Sequence, residues 1–153
     1  MRKESSVIIV AVLIAGCSKA EAPSTGSIPG NCVPEIATVT QNVIEDQLAA
    51  FGNEDFELAR SFSSRIFRSN VTTDAFDRTI RADYAFLLSN PIPDYQECLL
   101  TDNSRVGMTV SFENAPSVLY QLVNEDGGWR IDVAGIAQGQ GQNNQVNEVG
   151  RFA

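Results

Sequence analysis

Residues 105–134, RVGMTVSFENAPSVLYQLVNEDGGWRIDVA, decide the fold of this chain. Apolar and polar residues alternate along residues 105–113, 117–124 and 129–134, a pattern typical of strands that are buried on one face. Residues 125–128, Glu-Asp-Gly-Gly, separate the last two segments, and glycine accepts the positive φ of a tight hairpin turn. Short turns connect antiparallel neighbours, because parallel strands need long crossovers. This stretch therefore predicts consecutive antiparallel strands.

Upstream, the pattern predicts one more strand and then helices. Residues 95–101 form a further candidate strand. Apolar residues recur at steps of three and four through residues 36–51, which predicts a first helix. A second helix is predicted with Asn53 as its N-cap, and a third from about Thr73 with Thr72 as its N-cap. About three helices followed by a curved antiparallel sheet of about four strands give an α+β fold class.

The N-terminal sequence predicts an export signal. A basic start at Arg2 and Lys3, an apolar run over residues 7–14 and the sequence Ile14-Ala15-Gly16-Cys17 follow one another. The run is too short for a transmembrane helix, which needs about 20 residues. This order resembles a bacterial lipoprotein signal ending in a lipobox. The resemblance implies cleavage before Cys17 and a diacylglycerol thioether on its sulfur.

The remaining chain divides into three parts. Residues 17–31 are rich in small residues, proline and glycine and predict a flexible tether, residues 32–137 form the folded domain, and residues 138–153 form a low-complexity tail. Acyl chains would hold the protein on a membrane. We expect a lipid-anchored protein of the cell envelope, outside the cytoplasm. Ser18 favours the outer membrane over the inner one, where an aspartate would be the retention signal.

Charge and composition exclude several functions. The chain has 11 Lys and Arg against 19 Asp and Glu, and removal of residues 1–16 leaves a net charge of −9. Nucleic acids bind basic surfaces, so we expect no nucleic-acid partner. The chain contains no histidine, which rules out triads with a histidine base and most zinc sites. We predict no metal, no cofactor and no set of catalytic residues.

Lipidation of Cys17 leaves Cys32 and Cys98 as a pair, 66 positions apart. An oxidising compartment favours a disulfide between them. Such a bridge would contribute up to about 4 kcal/mol in the chain-entropy model. The alternative is two separate buried thiols, since free cysteine packs well in cores.

Several segments resemble one known family. They are Val43–Phe51, Ala59–Phe67, Phe76 with Tyr84, Tyr120–Leu122 and Gly128–Ile131. Together they resemble the DUF4864 domain, a family of small bacterial proteins of unknown function within the NTF2-like, or cystatin-like, superfamily. The resemblance covers about residues 36–134 and implies a cone of helices on a curved sheet. It is carried by core and turn positions, so it concerns the fold rather than an activity.

NTF2-like cones enclose a pocket, and the resemblance implies Tyr84, Tyr120 and Trp129 as residues that would bind a small apolar ligand there. Each of the three would equally serve as a core residue. The first functional hypothesis is a non-enzymatic module that binds a small ligand or another envelope protein. The second is an isomerase- or dehydratase-like enzyme that pairs Asp83, Asp102 or Asp132 with a tyrosine. NTF2-like sheets often dimerise through their open face, so a homodimer is a further expectation.

Overall fold

The structure, a computed structural model, describes residues 30–102 and 104–138. The predicted signal, Cys17, most of the tether and the tail beyond Gln138 lie outside the described residues. The elements are, in chain order, β1 (Gly30–Asn31), α1 (Pro34–Gly52), α2 (Phe56–Ser61), α3 (Arg65–Asn70), α4 (Thr73–Asp83), a 3₁₀ turn (Ala85–Ser89), β2 (Asp94–Asp102), β3 (Arg105–Phe112), β4 (Ala115–Glu125) and β5 (Gly128–Ile136). No helix within these ranges is long and apolar enough to cross a membrane.

The five strands form one antiparallel sheet in chain order, which confirms the α+β class. The four predicted strands are present, with ends that move by at most two residues. Cross-strand rows of inward-facing residues build the inner face, among them Cys98–Met108–Tyr120–Ala134 and Leu100–Val106–Leu122–Ile131. The fifth strand, β1, consists of the last two residues of the predicted tether and pairs with β2.

The helices pack on the inner face. The predicted first helix is present as α1, which begins at Pro34, two residues before the apolar period, and buries Ile44, Leu48 and Phe51. The prediction of one second helix starting at Asn53 was wrong. The N-cap is Asp55, whose carboxylate accepts a hydrogen bond from the N–H of Leu58 at 3.0 Å.

In place of the single second helix that was predicted, the structure has two short helices, α2 and α3. The break has a physical cause in two buried serines, Ser63 and Ser64. The N–H of Ser64 donates to the carbonyl of Ile131 at 2.7 Å, which ties the chain to β5. The Ser64 hydroxyl then caps α3 by accepting from the N–H of Phe67 at 3.1 Å. The predicted cap of the third helix is confirmed, because Thr72 Oγ1 accepts from the N–H of Ala75 at 3.2 Å.

Two local features fix the geometry of the sheet. The β4–β5 turn has positive φ at Asp126 (52°) and Gly127 (79°), which confirms the predicted hairpin. The register shifts by one residue at Gln96 in β2 and at Asp132 in β5, so both residues lie at β-bulges.

Cys32 and Cys98 are joined by a disulfide, with their Cα atoms 5.5 Å apart. Of the two alternatives, the structure therefore has the disulfide and not two separate thiols.

Candidate functional site

The first candidate site is the space between the sheet and the helices. Tyr84 and Tyr120 are 1 % and 0 % exposed and Trp129 is 9 % exposed, so all three predicted ligand-binding residues lie in the hydrophobic core. They share it with other large, fully buried side chains, including Phe51, Phe76, Leu87, Met108, Leu122 and Ile131. The side chains named for a ligand pocket are therefore packed against the protein itself.

The three tyrosines of the chain lie close enough for their hydroxyls to influence one another. Burial raises the pKa of Tyr120, and Tyr95 and Tyr84 raise it further. Burial is also the main cause that raises the pKa of Tyr84, whose hydroxyl receives a backbone hydrogen bond from Ile136. A tyrosine with a raised pKa stays neutral at physiological pH. These hydroxyls can donate a hydrogen bond, but they do not supply a base.

The aspartates of the enzyme hypothesis are not buried beside these tyrosines, although the charge of Asp83 adds to the raised pKa of Tyr84. Asp102 is exposed and accepts hydrogen bonds from the N–H and the hydroxyl of Ser104, at 2.7 and 2.8 Å. Asp132 lies 3.6 Å from Arg105 in an ion pair, and Asp83 is exposed at the end of α4. The buried polar side chains within residues 30–102 and 104–138 are Thr40, Gln47, Ser63 and Ser64, and none of these is a carboxylate.

One carboxylate does approach a tyrosine hydroxyl, at the rim of the domain. The Tyr95 hydroxyl lies 3.4 Å from Glu45 Oε1 and 3.3 Å from the carbonyl of Gln41. Burial raises the pKa of Tyr95, and the charge of Glu45 raises it further. Glu45 and Leu48 line a shallow groove of about 240 Å³ together with residues 90–93. No sequence signal distinguishes Glu45, because it occupies an ordinary exposed position of α1.

The second candidate site is the face of the sheet turned away from the helices, which we call the outer sheet face. Its centre is formed by Leu99, Gly107, Leu119, Val123 and Val133, which alternate with the buried rows. Leu99 is 37 % exposed, and the other three aliphatic side chains are partly buried. Within the described part of the chain, all four helices pack on the opposite face. An apolar sheet surface without a covering layer is typical of a contact surface.

Gly107 gives this face its most informative feature. It lies inside the central strand β3, where glycine weakens a strand. Its φ is in the range that any residue adopts, and apart from its two chain neighbours no described residue has an atom within 4 Å of the position that a Cβ would take. Neither backbone conformation nor crowding inside the domain requires glycine here. A strand glycine without such a reason often marks a point where another molecule comes close to the backbone.

The charged side chains around this apolar centre are of both signs. Glu97, Asp102 and Asp132 are acidic and Arg105 and Arg130 are basic, in a chain whose net charge is −8. Arg130 donates a hydrogen bond to its neighbour's carbonyl at Trp129, at 2.9 Å. Like charges that face each other across an interface oppose association. Arg105 and Arg130 therefore offset part of the repulsion that another acidic molecule would meet at this face.

Comparison with known proteins identifies the domain without an activity. A family model described as a domain of unknown function, DUF4864, matches residues 35–144, which is more than half of the chain. No curated protein and no solved structure matches significantly. The matched region contains α1 to α4 and strands β2 to β5.

Proposed function

This chain belongs to the DUF4864 family, and on that premise we propose that it is a lipid-anchored envelope protein with an NTF2-like domain that binds another protein and catalyses no reaction. The observation that carries the proposal is the packed interior. Tyr84, Tyr120 and Trp129 fill the core instead of lining an open pocket. Binding then takes place at the surface, where the outer sheet face has an apolar centre that no element of residues 30–102 and 104–138 covers.

The alternative function, an isomerase- or dehydratase-like enzyme, has less support. It requires a carboxylate next to a tyrosine hydroxyl inside the domain, with a pKa tuned by burial. The buried polar groups are hydroxyls and one amide, and Asp102 and Asp132 are engaged with Ser104 and Arg105. A small-ligand module is likewise disfavoured, because large side chains occupy the space that the ligand would need.

The lipid anchor at Cys17 is supported by the order of the signal and by the disulfide. A bond between Cys32 and Cys98 fits an exported protein, since thiols stay reduced in the cytosol. The variant Cys17→Ala tests the anchor directly. We expect it to leave the membrane pellet for the soluble fraction. If it stays in the pellet at the wild-type level, the anchor is wrong.

A second copy of this chain is one partner that the outer sheet face would suit. The face is self-complementary in principle, because it carries both partly exposed aliphatic side chains and a space above Gly107 that no described residue fills. Arg105 and Arg130 on this face offset part of the repulsion between two acidic chains. A different envelope protein is the other partner class.

The substitution Leu119→Arg tests the proposed surface by placing a charge at its centre. Ala82→Arg on the exposed side of α4 is the matched control, since it adds the same charge away from the sheet. Tagged full-length protein is extracted from membranes, and the proteins that copurify with it are quantified. We expect Leu119→Arg, but not Ala82→Arg, to lose the copurifying partner, including any untagged second copy. Equal recovery with both variants would refute the assignment of this surface.

A further inference from the structure

The edge of β2 that does not pair with β3 is covered only by the very short strand β1. β1 pairs Gly30 with Leu100 and Asn31 with Leu99, and the N–H of Cys32 donates to the carbonyl of Cys98 at 3.0 Å. The disulfide joins the same two cysteines. Gly30 and Asn31 are exposed, and neither belongs to the hydrophobic core. Cys32 is partly buried against that core, so residues 30–32 are held by a few backbone hydrogen bonds, by the packing of this one side chain and by one covalent bond.

The rest of the β2 edge has features that discourage strand pairing. Pro93 precedes the strand, Gln96 forms a bulge, and Glu97 and Asp102 are charged. Prolines, bulges and charges are the usual means by which proteins protect an exposed edge. Only the stretch Leu99–Leu100, which β1 covers, has none of them. The segment 30–32 thus occupies the one part of this edge that would readily accept another strand.

The disulfide decides whether this segment stays in place. The net contribution of a backbone hydrogen bond is about as large as the cost of ordering one residue, so two paired residues gain little by themselves. Val33, which links the segment to α1, is 51 % exposed and has an extended backbone without a side-chain cap. Once the bond opens, residues 30–32 can leave the edge by rotation at Val33 while the core remains packed.

We propose that the β2 edge at Cys98–Leu100 is a strand-docking site and that its occupant is residues 30–32 of this chain. While the original disulfide is closed, these residues come from the same copy. After the disulfide has opened and formed again, they come from a second copy. The second copy's segment fits because it has the same sequence, register and cysteine as the one it replaces. Exchange of identical segments keeps every contact and is a low-cost route to a dimer.

The exchange is two thiol–disulfide reactions with balanced electrons. A dithiol reductant opens the Cys32–Cys98 bond, leaves two protein thiols and becomes a disulfide itself. A disulfide oxidant such as oxidised glutathione then forms a mixed disulfide on Cys32 and releases one glutathione. The Cys98 thiolate of the second copy attacks the Cys32 sulfur, which closes the bond between copies and releases the second glutathione.

Closure within one copy competes with closure between copies. A short flexible link gives an effective concentration of about 1 mM, so exchange becomes frequent only when chains are crowded to that level. Anchoring on a membrane would provide such crowding, and to that extent the biological occurrence of the exchange rests on the proposed function. The docking site itself does not depend on the anchor.

Isotope mixing tests the proposal on the full-length chain. Cys17→Ser removes the third thiol, and equal amounts of ¹⁴N- and ¹⁵N-labelled protein are reduced with dithiothreitol and reoxidised with oxidised glutathione. Mass spectrometry then identifies the disulfide-linked Cys32–Cys98 peptides. We expect about a quarter of them to contain both isotopes at about 1 mM protein, and about one in a hundred at about 20 μM. Peptides of a single isotope at both concentrations would overturn the proposal.

A pair of variants provides a second readout without competition. In the Cys17→Ser background, Cys32→Ser and Cys98→Ser each keep a single thiol, so only a bond between copies can join Cys32 to Cys98. We expect a covalent heterodimer after oxidation, and none when Cys32→Ser is mixed with the double variant Cys32→Ser/Cys98→Ser. Its absence from folded variants would contradict the proposal, and if the variants fail to fold, the isotope experiment decides. Neither experiment involves lipid or the outer sheet face, so their failure leaves the proposed function standing.

Discussion

Leu122→Ala separates a packed core from a ligand pocket. Leu122 is 1 % exposed in β4 and lies directly between Val106 and Ile131, which are 1 % and 0 % exposed. Neighbours fixed in two strands cannot collapse into the space that a truncated side chain leaves. We therefore expect a loss of about 3 kcal/mol in the free energy of unfolding, within the range of about 2 to 5 kcal/mol for buried leucines. A domain of this size would lose about 12 °C in Tm.

The assay is urea unfolding followed by the fluorescence of Trp129, the single tryptophan of the chain, which is 9 % exposed in the core. Leu119→Ala is the matched control, since Leu119 is the neighbouring leucine of the same strand on the partly exposed outer sheet face. We expect the control to lose less than about 1 kcal/mol. If both variants lose equally little and the m-value is unchanged, the interior is not the close-packed core on which the functional argument depends.

Three further predictions concern covalent and titrating groups. Reduction of the Cys32–Cys98 bond should lower the free energy of unfolding by up to about 4 kcal/mol, and an urea midpoint that does not change with dithiothreitol would contradict this. All three tyrosines have a pKa above the ordinary value of about 10, so stability should be intact below pH 10 and fall as the pH rises further. Absorbance at 295 nm should then report phenolate only together with unfolding, and early ionisation of the native protein would refute it. The hydrogen bonds from Ser104 lower the pKa of Asp102. The folded state is therefore stabilised at a pH above the ordinary pKa of aspartate, and this stabilisation is lost as the pH falls through the lowered pKa. Ser104→Ala should raise the pKa of the Asp102 carboxyl towards its ordinary value in a ¹³C NMR titration, and an unchanged pKa would show that the hydroxyl contributes nothing.

Strand alternation was the most reliable guide to this fold. The pattern in residues 105–134 depends on burial of one face, and each strand has long-range partners that enforce it. Local signals also located the hairpin at Gly127 and the cap at Thr72, because positive φ and N-cap hydrogen bonds depend on single residues.

The parts that were missed depend on contacts distant in sequence. The helix break at Ser63 and Ser64 follows from pairing with Ile131, some 67 positions away, and no local signal announces it. β1 has only two residues, which is too short for any periodic pattern, and it is held in place by the bond to Cys98. In the sequence, Gly107 is only one residue of a predicted strand. Its place in a contact surface follows from the space above its backbone, which only the structure shows.

Photo-crosslinking from the outer sheet face tests the central claim most directly. A photoreactive amino acid replaces Gln121, which is exposed next to Gly107 on that face, and in a matched protein it replaces Ala82 on α4. Both full-length proteins are irradiated in intact cells. The account predicts one discrete crosslinked protein from position 121, lost when Leu119→Arg is added, and none of that size from position 82. The same products from both positions, or none from position 121, would contradict it.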